Sequence, residues 1–109
     1  MALLWKKQYI PLILSGAKTA TRRKRKPSVK EGGSYFIRTG FFEHIDEKIK
    51  VDRLYQQRLG DMTEEDAVRE GSTNLRDYTQ DWASLYGAWN ADDLVWVVEF
   101  HLEESSDII

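Results

Sequence analysis

The sequence predicts an α+β fold in which a small mixed or antiparallel β-barrel carries helices packed at its ends. Between Ile45 and Tyr55, apolar and charged residues alternate, which is typical of a strand with one buried and one wet face. Leu94–Phe100 is rich in β-branched and aromatic residues, which predicts a central strand covered on both faces, with Trp96 buried in it. From Asn74 to Tyr86, apolar residues recur at helical spacing.

The first part of the chain supplies one strand and one helix. Ala2–Lys6 reads as a short first strand, and Gln8–Ser15 has apolar residues on one helical face. Pro11 is tolerated in a first turn, and Gly16 suits the left-handed position that ends a helix. We therefore expect the residues after Gly16 to form a loop held by a rigid helix.

The later elements are marked by turn and cap signals. Residues 29–33 form a predicted turn into a strand, Ser34–Arg38. Thr63 to Asp66 has the pattern of a helix start, and Gly71 closes that short helix. Residues 87–93 form a polar turn carrying Trp89, which we expect to cap the core, and the acidic tail of residues 103–109 is expected to fray.

Composition limits the class of protein. The 109 residues, 41% of them hydrophobic, suffice for one domain with one core, spanning residues 1–109. There is no Cys, and His44 and His101 are the only histidines, so we expect no disulfide, no metal site and no cofactor. The longest apolar runs are too short to span a membrane, and no signal peptide is recognisable. These features favour a cytoplasmic protein, and they are compatible with a monomer.

Positive charge is concentrated in the predicted loop after Gly16. Residues 16–30 hold seven cations and no acid, which leaves nine Lys plus Arg against eighteen Asp plus Glu elsewhere, so this basic window carries +7 and the rest of the chain −9. Such a window attracts phosphates, or it can grip one small anionic or carbonyl group in a pocket. A solvated loop that only aids solubility is the alternative. The seven cations are Lys18, Arg22, Arg23, Lys24, Arg25, Lys26 and Lys30.

Glu70 is an unusual acid, because it lies in the last turn of its predicted helix. A carboxylate there faces the negative end of the helix dipole, which costs up to about 1 kcal/mol, so a partner cation or a chemical role would explain it. Lys18 and Thr21 supply an amine and a hydroxyl on the predicted loop. Lys18 could serve as base for a Thr21 nucleophile if burial and Arg22 lower its pKa, with Glu70 passing a proton to a leaving amine.

Each part of this hypothesis has a plainer alternative. Lys18 and Glu70 can form an ion pair that fastens loop to helix, while Thr21 makes a turn hydrogen bond. Arg22 and Arg23 can contact phosphate without taking part in catalysis.

The motifs resemble those of the ASCH domain family. The most specific part is a G-x-K-T-x-T-x-R segment in residues 13–23, and residues 29–32, 59–71 and 95–100 extend the resemblance over nearly the whole chain. The resemblance implies a PUA-like fold and an RNA-interacting domain. Some small members of the family resemble amidohydrolases of N4-acetylcytidine that use a Lys, a Thr and a Glu, which here would be Lys18, Thr21 and Glu70.

The sequence therefore predicts a PUA-like domain that binds RNA or a nucleoside or nucleotide ligand, and acts in RNA metabolism. The ligand-binding residues would be Arg22, Arg23, Lys24, Arg25 and Lys26. Amide hydrolysis of an acylated cytidine, without a metal, is the first alternative. A protein-interaction module that exposes Trp89 is the second. A closed pocket that holds Lys18, Thr21 and Glu70 within hydrogen-bond reach favours an enzyme, whereas an open basic groove flanked by stacking aromatics favours RNA.

Overall fold

An antiparallel sheet of four strands curls into a half-barrel in the computed structural model, which describes residues 2–40 and 42–103. The strand order is β1-β4-β3-β2. This is the predicted α+β architecture of a small barrel-like sheet with helices. Its elements are α1 (Ile10–Ser15), β1 (Ala20–Arg23), β2 (Ser34–Arg38), β3 (His44–Arg58), α2 (Glu64–Arg69), α3 (Leu75–Tyr86) and β4 (Leu94–Leu102), with 3₁₀ turns at Lys7–Tyr9 and Leu59–Asp61.

The inner strand β4 is covered on both faces, as its composition predicts. Side chains alternate along a strand, so Val95 and Val98 point to opposite faces. Val98 and Phe100 belong to one core cluster, which contains Trp5 and Ile37, and Val95 belongs to a second beneath α2 and α3. Two apolar layers thus hold β4 between them.

Trp96 is less buried than predicted. It faces the end of β1 at Arg23 and is half-buried, and the Lys26 ammonium stands 5.0 Å from the centre of its ring. Trp96 lies opposite the last residue of β1, so towards the start of β4 no further residue of β1 stands beside it. The fully buried side chains of β4 are valines, at positions 95, 97 and 98.

The predicted strand Ala2–Lys6 is wrong in extent. This segment makes one parallel bridge, between Leu4 and Arg38, and the Trp5 N–H donates to the Arg38 carbonyl at 2.8 Å. The chain then turns into the 3₁₀ turn at Lys7–Tyr9, which ends any further pairing.

The predicted loop after Gly16 is also shorter than expected, because Ala20–Arg23 forms β1. It pairs antiparallel with β4, from Ala20 opposite Glu99 to Arg23 opposite Trp96. Thr21 therefore lies on a strand, where its position is fixed by the ladder, whereas Lys18 lies on the loop as predicted. Strand β3 is longer than predicted at both ends, and its register shifts between Val51 and Arg53.

Helix ends follow the predicted signals. Thr63 and Asp66 form a reciprocal capping box at the start of α2, and Asn74 caps α3. Gly16 takes a left-handed φ of 83° after α1, a conformation that favours glycine. Trp89 is half-buried and packs edge-on against Tyr78 and Trp82, so it caps the core. From residue 104 onwards the predicted acidic tail lies outside the described residues.

Candidate active site

A pocket of about 520 Å³ opens between the edge strand β1, helix α3 and the segment before α1. This volume falls in the range of small-molecule sites, roughly 300–1,000 Å³. All three predicted catalytic residues line the pocket. The polar and charged residues of its lining are Lys6, Lys7, Lys18, Thr21, Arg22, Arg23, Thr39, Glu70 and Asp81, and its aromatic residues are Trp5, Tyr9, Tyr78, Trp82 and Tyr86.

Lys18 and Glu70 form a buried pair at the pocket wall. The Lys18 ammonium donates to Glu70 Oε1 at 3.1 Å and to the Glu70 backbone carbonyl at 2.7 Å. Each side chain is 4% exposed. The last-turn position of Glu70 is thus explained by a cation that bonds both the carboxylate and the helix-terminal carbonyl.

Arg22 is a second partner of Glu70. Its guanidinium donates to Glu70 Oε2 at 2.9 Å and to Gln57 Oε1 at 2.8 Å, and it lies 3.6 Å from Asp66 Oδ2. The Arg22 side chain is 1% exposed. With this many partners inside the protein, Arg22 serves first to hold Glu70 in place.

Thr21 presents a hydroxyl to the same pocket from β1. Arg23 Nε donates to Thr21 Oγ1 at 3.2 Å, so the hydroxyl oxygen already accepts one hydrogen bond and keeps its own proton to donate. Arg23 lies 5.2 Å from the centre of the Trp5 ring, which fixes the guanidinium between the two residues. Thr21 and the buried Lys18 amine thus line the same pocket, and nucleophilic catalysis requires a hydroxyl that a base within the site can activate.

Burial lowers the pKa of the Lys18 ammonium below its usual value of 10.5, although the charge and hydrogen bond of Glu70 act in the opposite direction. The positive charges of Arg23 and Arg22 lower the pKa of Lys18 further. A neutral Lys18 can keep its two donated hydrogen bonds to Glu70 and use its lone pair to accept a proton. This environment suits a general base.

Aromatic side chains form the other walls. The rings of Trp82 and Tyr86 lie 4.3 Å apart between centroids, and Trp5 packs edge-on against Phe100. The indole N–H groups of Trp5 and Trp82 are buried without a partner among the described residues. Such walls can accept the flat face of a nucleobase.

Tyr78 adds a polar group to the aromatic walls. It is 9% exposed, and none of the described residues is hydrogen-bonded to its hydroxyl. Burial and the charge of Glu70 raise the pKa of Tyr78, so the hydroxyl stays protonated. It is available as a donor to a bound ligand.

The outer cations of the basic window lie apart from the inner ones. Lys24, Arg25 and Lys26 are exposed and do not line the pocket, whereas Arg22 and Arg23 do. The Lys24 ammonium stands 4.8 Å from the centre of the Tyr86 ring, at the rim of the pocket. The window predicted as one ligand-binding surface therefore divides into an internal ion-pair network and an exposed basic segment.

Sequence reasoning missed the aromatic walls and the N-terminal lysines. The spacing of Tyr78, Trp82 and Tyr86 indicated a core face, and two of these residues do join the core while also lining the pocket. Lys6 and Lys7 gave no signal, because a pair of lysines is common on any surface. Only the three-dimensional position of the segment next to β2 brings them to the pocket.

The described residues provide neither a cluster of metal ligands nor a membrane-spanning helix. Within residues 2–40 and 42–103, no three His, Asp or Glu side chains cluster in a way that could hold a metal ion. In the same ranges no helix is long and apolar enough to cross a membrane.

The comparisons with known proteins concern the fold. No protein-family model matches the chain, and no curated protein matches it. The structure resembles an ASCH domain from Lactobacillus crispatus JV V101, with a TM-score of 0.69, 17% identity, and coverage of 84% of this chain and 68% of that one. It also resembles a protein of Enterococcus faecalis V583 assigned to family DUF984, with a TM-score of 0.60, 20% identity, and coverage of 84% and 64%. This chain thus spans about two thirds of the length of each.

These likenesses identify the class of fold. A curled antiparallel half-barrel with a few helices is a small PUA-like α+β fold. More particularly, it is the fold of ASCH domains, as the sequence motifs predict.

Proposed function

We propose that the pocket binds an acylated cytidine and hydrolyses the amide at its exocyclic nitrogen. The observation that carries this proposal is that Lys18, Thr21 and Glu70 line one pocket whose other walls are aromatic. The resemblance to ASCH amidohydrolases assigns chemistry to the same three residues. Lys18 and Glu70 are within hydrogen-bond reach of each other, and Thr21 lines the same pocket, where its hydroxyl accepts a hydrogen bond from Arg23. This partial convergence supports an enzyme over an open groove for a strand.

We infer the following reaction for the groups that line this pocket. Neutral Lys18 takes the proton of the Thr21 hydroxyl as Thr21 Oγ1 attacks the acyl carbon, and the Tyr78 hydroxyl donates to the developing oxyanion. Lys18 returns the proton to the departing cytosine amine, which leaves an acyl ester on Thr21. Water, deprotonated by Lys18, then attacks the ester carbon, and Lys18 gives that proton to Thr21 Oγ1 as the acyl C–Oγ1 bond breaks and the acid is released. Glu70, which Arg22 fixes, holds Lys18 in place throughout.

The test is turnover by the purified protein. We expect cytidine and acetate to be released from N4-acetylcytidine. Tyr78→Phe should slow the reaction by about 10²-fold, the lower end of the effect of removing one oxyanion donor. Absence of cytidine release by the parent protein at high enzyme concentration would refute the proposal.

RNA binding is the second candidate, and one observation favours it. Two exposed cations that do not line the pocket stand over aromatic rings, Lys24 over Tyr86 at the pocket rim and Lys26 over Trp96 outside it. Cations interleaved with aromatic rings suit the backbone and bases of a single strand. In this reading the pocket would hold one splayed-out base.

A further inference from the structure

We propose that the ligand of this pocket carries a phosphate, so that the substrate is an acylated nucleotide rather than a free nucleoside. This inference rests on the proposed function and specifies the substrate class of the same site. It starts from the charge of the pocket. Among the described residues, the lining has five cations and two acids, although the whole chain has a net charge of −2.

The excess positive charge is at the mouth of the pocket. The inner cations Lys18 and Arg22 are already matched by Glu70 and Asp66. Lys6 and Lys7 are exposed and line the mouth, and no ion-pair partner for either is found among the described residues.

A third exposed lysine extends this mouth. Lys24 stands over Tyr86, which lines the pocket, so its ammonium is held at the rim by a ring contact rather than by an acid. Asp81 is the remaining acid of the lining, and it lies on α3. One carboxylate set against three lysines and the half-buried Arg23 leaves the mouth positive.

The position of this charge indicates what it binds. If the base lies between the aromatic walls with its acylated nitrogen at Thr21, the sugar and its 5′ substituent extend towards the mouth. Exposed lysines at the mouth of the pocket can hold a phosphate there, for which point cations are well suited. A neutral nucleoside would leave these cations without a role in the site.

Binding of the reaction products tests the inference independently of catalysis. Calorimetry should give a Kd for cytidine 5′-monophosphate about tenfold lower than for cytidine at about 50 mM salt, and this ratio should shrink at about 300 mM salt. The triple variant Lys6→Gln, Lys7→Gln, Lys24→Gln should bring the ratio close to one. The matched control, Lys30→Gln, Lys50→Gln, Arg76→Gln, removes as many exposed cations outside the pocket lining and should keep the ratio.

The outcomes separate this inference from the proposed function. Equal affinity for the two products, or no binding of either, would overturn the inference, and so would loss of the preference in the control triple. Tighter binding of the nucleotide without any hydrolysis of acetylated compounds would support phosphate recognition and refute the hydrolase. A short RNA that binds more tightly than the mononucleotide, with the same dependence on Lys6, Lys7 and Lys24, would show that the phosphate belongs to a strand.

Discussion

At Glu70 a single carboxylate holds two cations, and this explains an acid at the wrong end of a helix. The sequence indicated that a cation or a role was needed there, and Lys18 was a candidate. The choice of Arg22 as second partner was not predictable, because the basic window offers several similar side chains. Only strand pairing, which places Arg22 opposite Val97, decides which arginine faces α2.

Glu70→Gln tests this network. We expect a loss of about 3 kcal/mol in the free energy of unfolding, the low end of the range for breaking a buried ion pair, since Asp66 still lies near Arg22. Chemical denaturation measures this change in the free energy of unfolding. The matched control is Glu65→Gln on the same helix, whose side chain is 84% exposed and which should change stability by less than about 0.5 kcal/mol. Equal effects of the two changes would contradict the network.

The lowered pKa of Lys18 predicts a pH dependence of stability. Between that pKa and 10.5, Lys18 is neutral in the folded protein but still protonated in the unfolded chain. Folding releases a proton in this window, so raising the pH stabilises the folded state. The free energy of unfolding of the parent, minus that of Lys18→Met, should therefore rise with pH up to 10.5 and be constant well below the lowered pKa. A flat difference would show that the pKa of Lys18 is not lowered.

At the scale of elements, strands and helices with a strong apolar pattern were predictable, whereas β1 was not. Ala20–Arg23 has no apolar alternation and reads as a basic loop. It becomes a strand because β4 offers an unpaired edge, and Thr19 and Phe100 extend the ladder with a 2.9 Å hydrogen bond. Tertiary pairing of this kind leaves no local signal.

Two aromatic residues of β4 provide a comparison within one element. Phe100 is 2% exposed and packs against Trp5, so Phe100→Ala should cost roughly 3–5 kcal/mol of unfolding free energy. Trp96 is half-buried, so Trp96→Ala should cost less than about 3 kcal/mol despite the larger ring. Thermal or denaturant unfolding of both variants would check the order, and the reverse order would place Trp96 in the core.

At the scale of the whole molecule, the sequence showed the contrast between a basic window and an acidic remainder, but not how the window divides. Two of its seven cations, Lys18 and Arg22, are neutralised inside the protein. A motif that resembles those of ASCH domains and a strong apolar periodicity were enough to predict the fold and to single out Lys18, Thr21 and Glu70. The pocket was not predictable, because it forms where the N-terminal segment, β1 and α3 meet. No single stretch of the sequence encodes that arrangement.

Because some cations of the basic window are paired inside the protein, fewer of them can contribute to the salt dependence of RNA binding. If RNA binds, the exposed cations of the basic window, Lys24, Arg25, Lys26 and Lys30, can release counterions, so they should contribute no more than about −3 to the slope of log K against log salt. Replacing residues 24–26 by Ser should make the slope shallower by about 2. Fluorescence anisotropy with a single-stranded RNA measures both values. An unchanged slope in the variant would mean that this segment does not contact RNA.

The central claim is that Thr21 is a nucleophile and that Lys18 is its base. The measurement that tests it most directly is the rate at which Thr21→Val releases cytidine from N4-acetylcytidine. Valine keeps the shape of this buried strand residue and removes its hydroxyl, and Thr79→Val on α3, outside the pocket lining, is the control. We expect Thr21→Val to fold and to lose at least about a thousandfold in rate, since members of a catalytic unit are each indispensable, while Thr79→Val keeps the parent rate. Release by Thr21→Val at the parent rate would contradict the account.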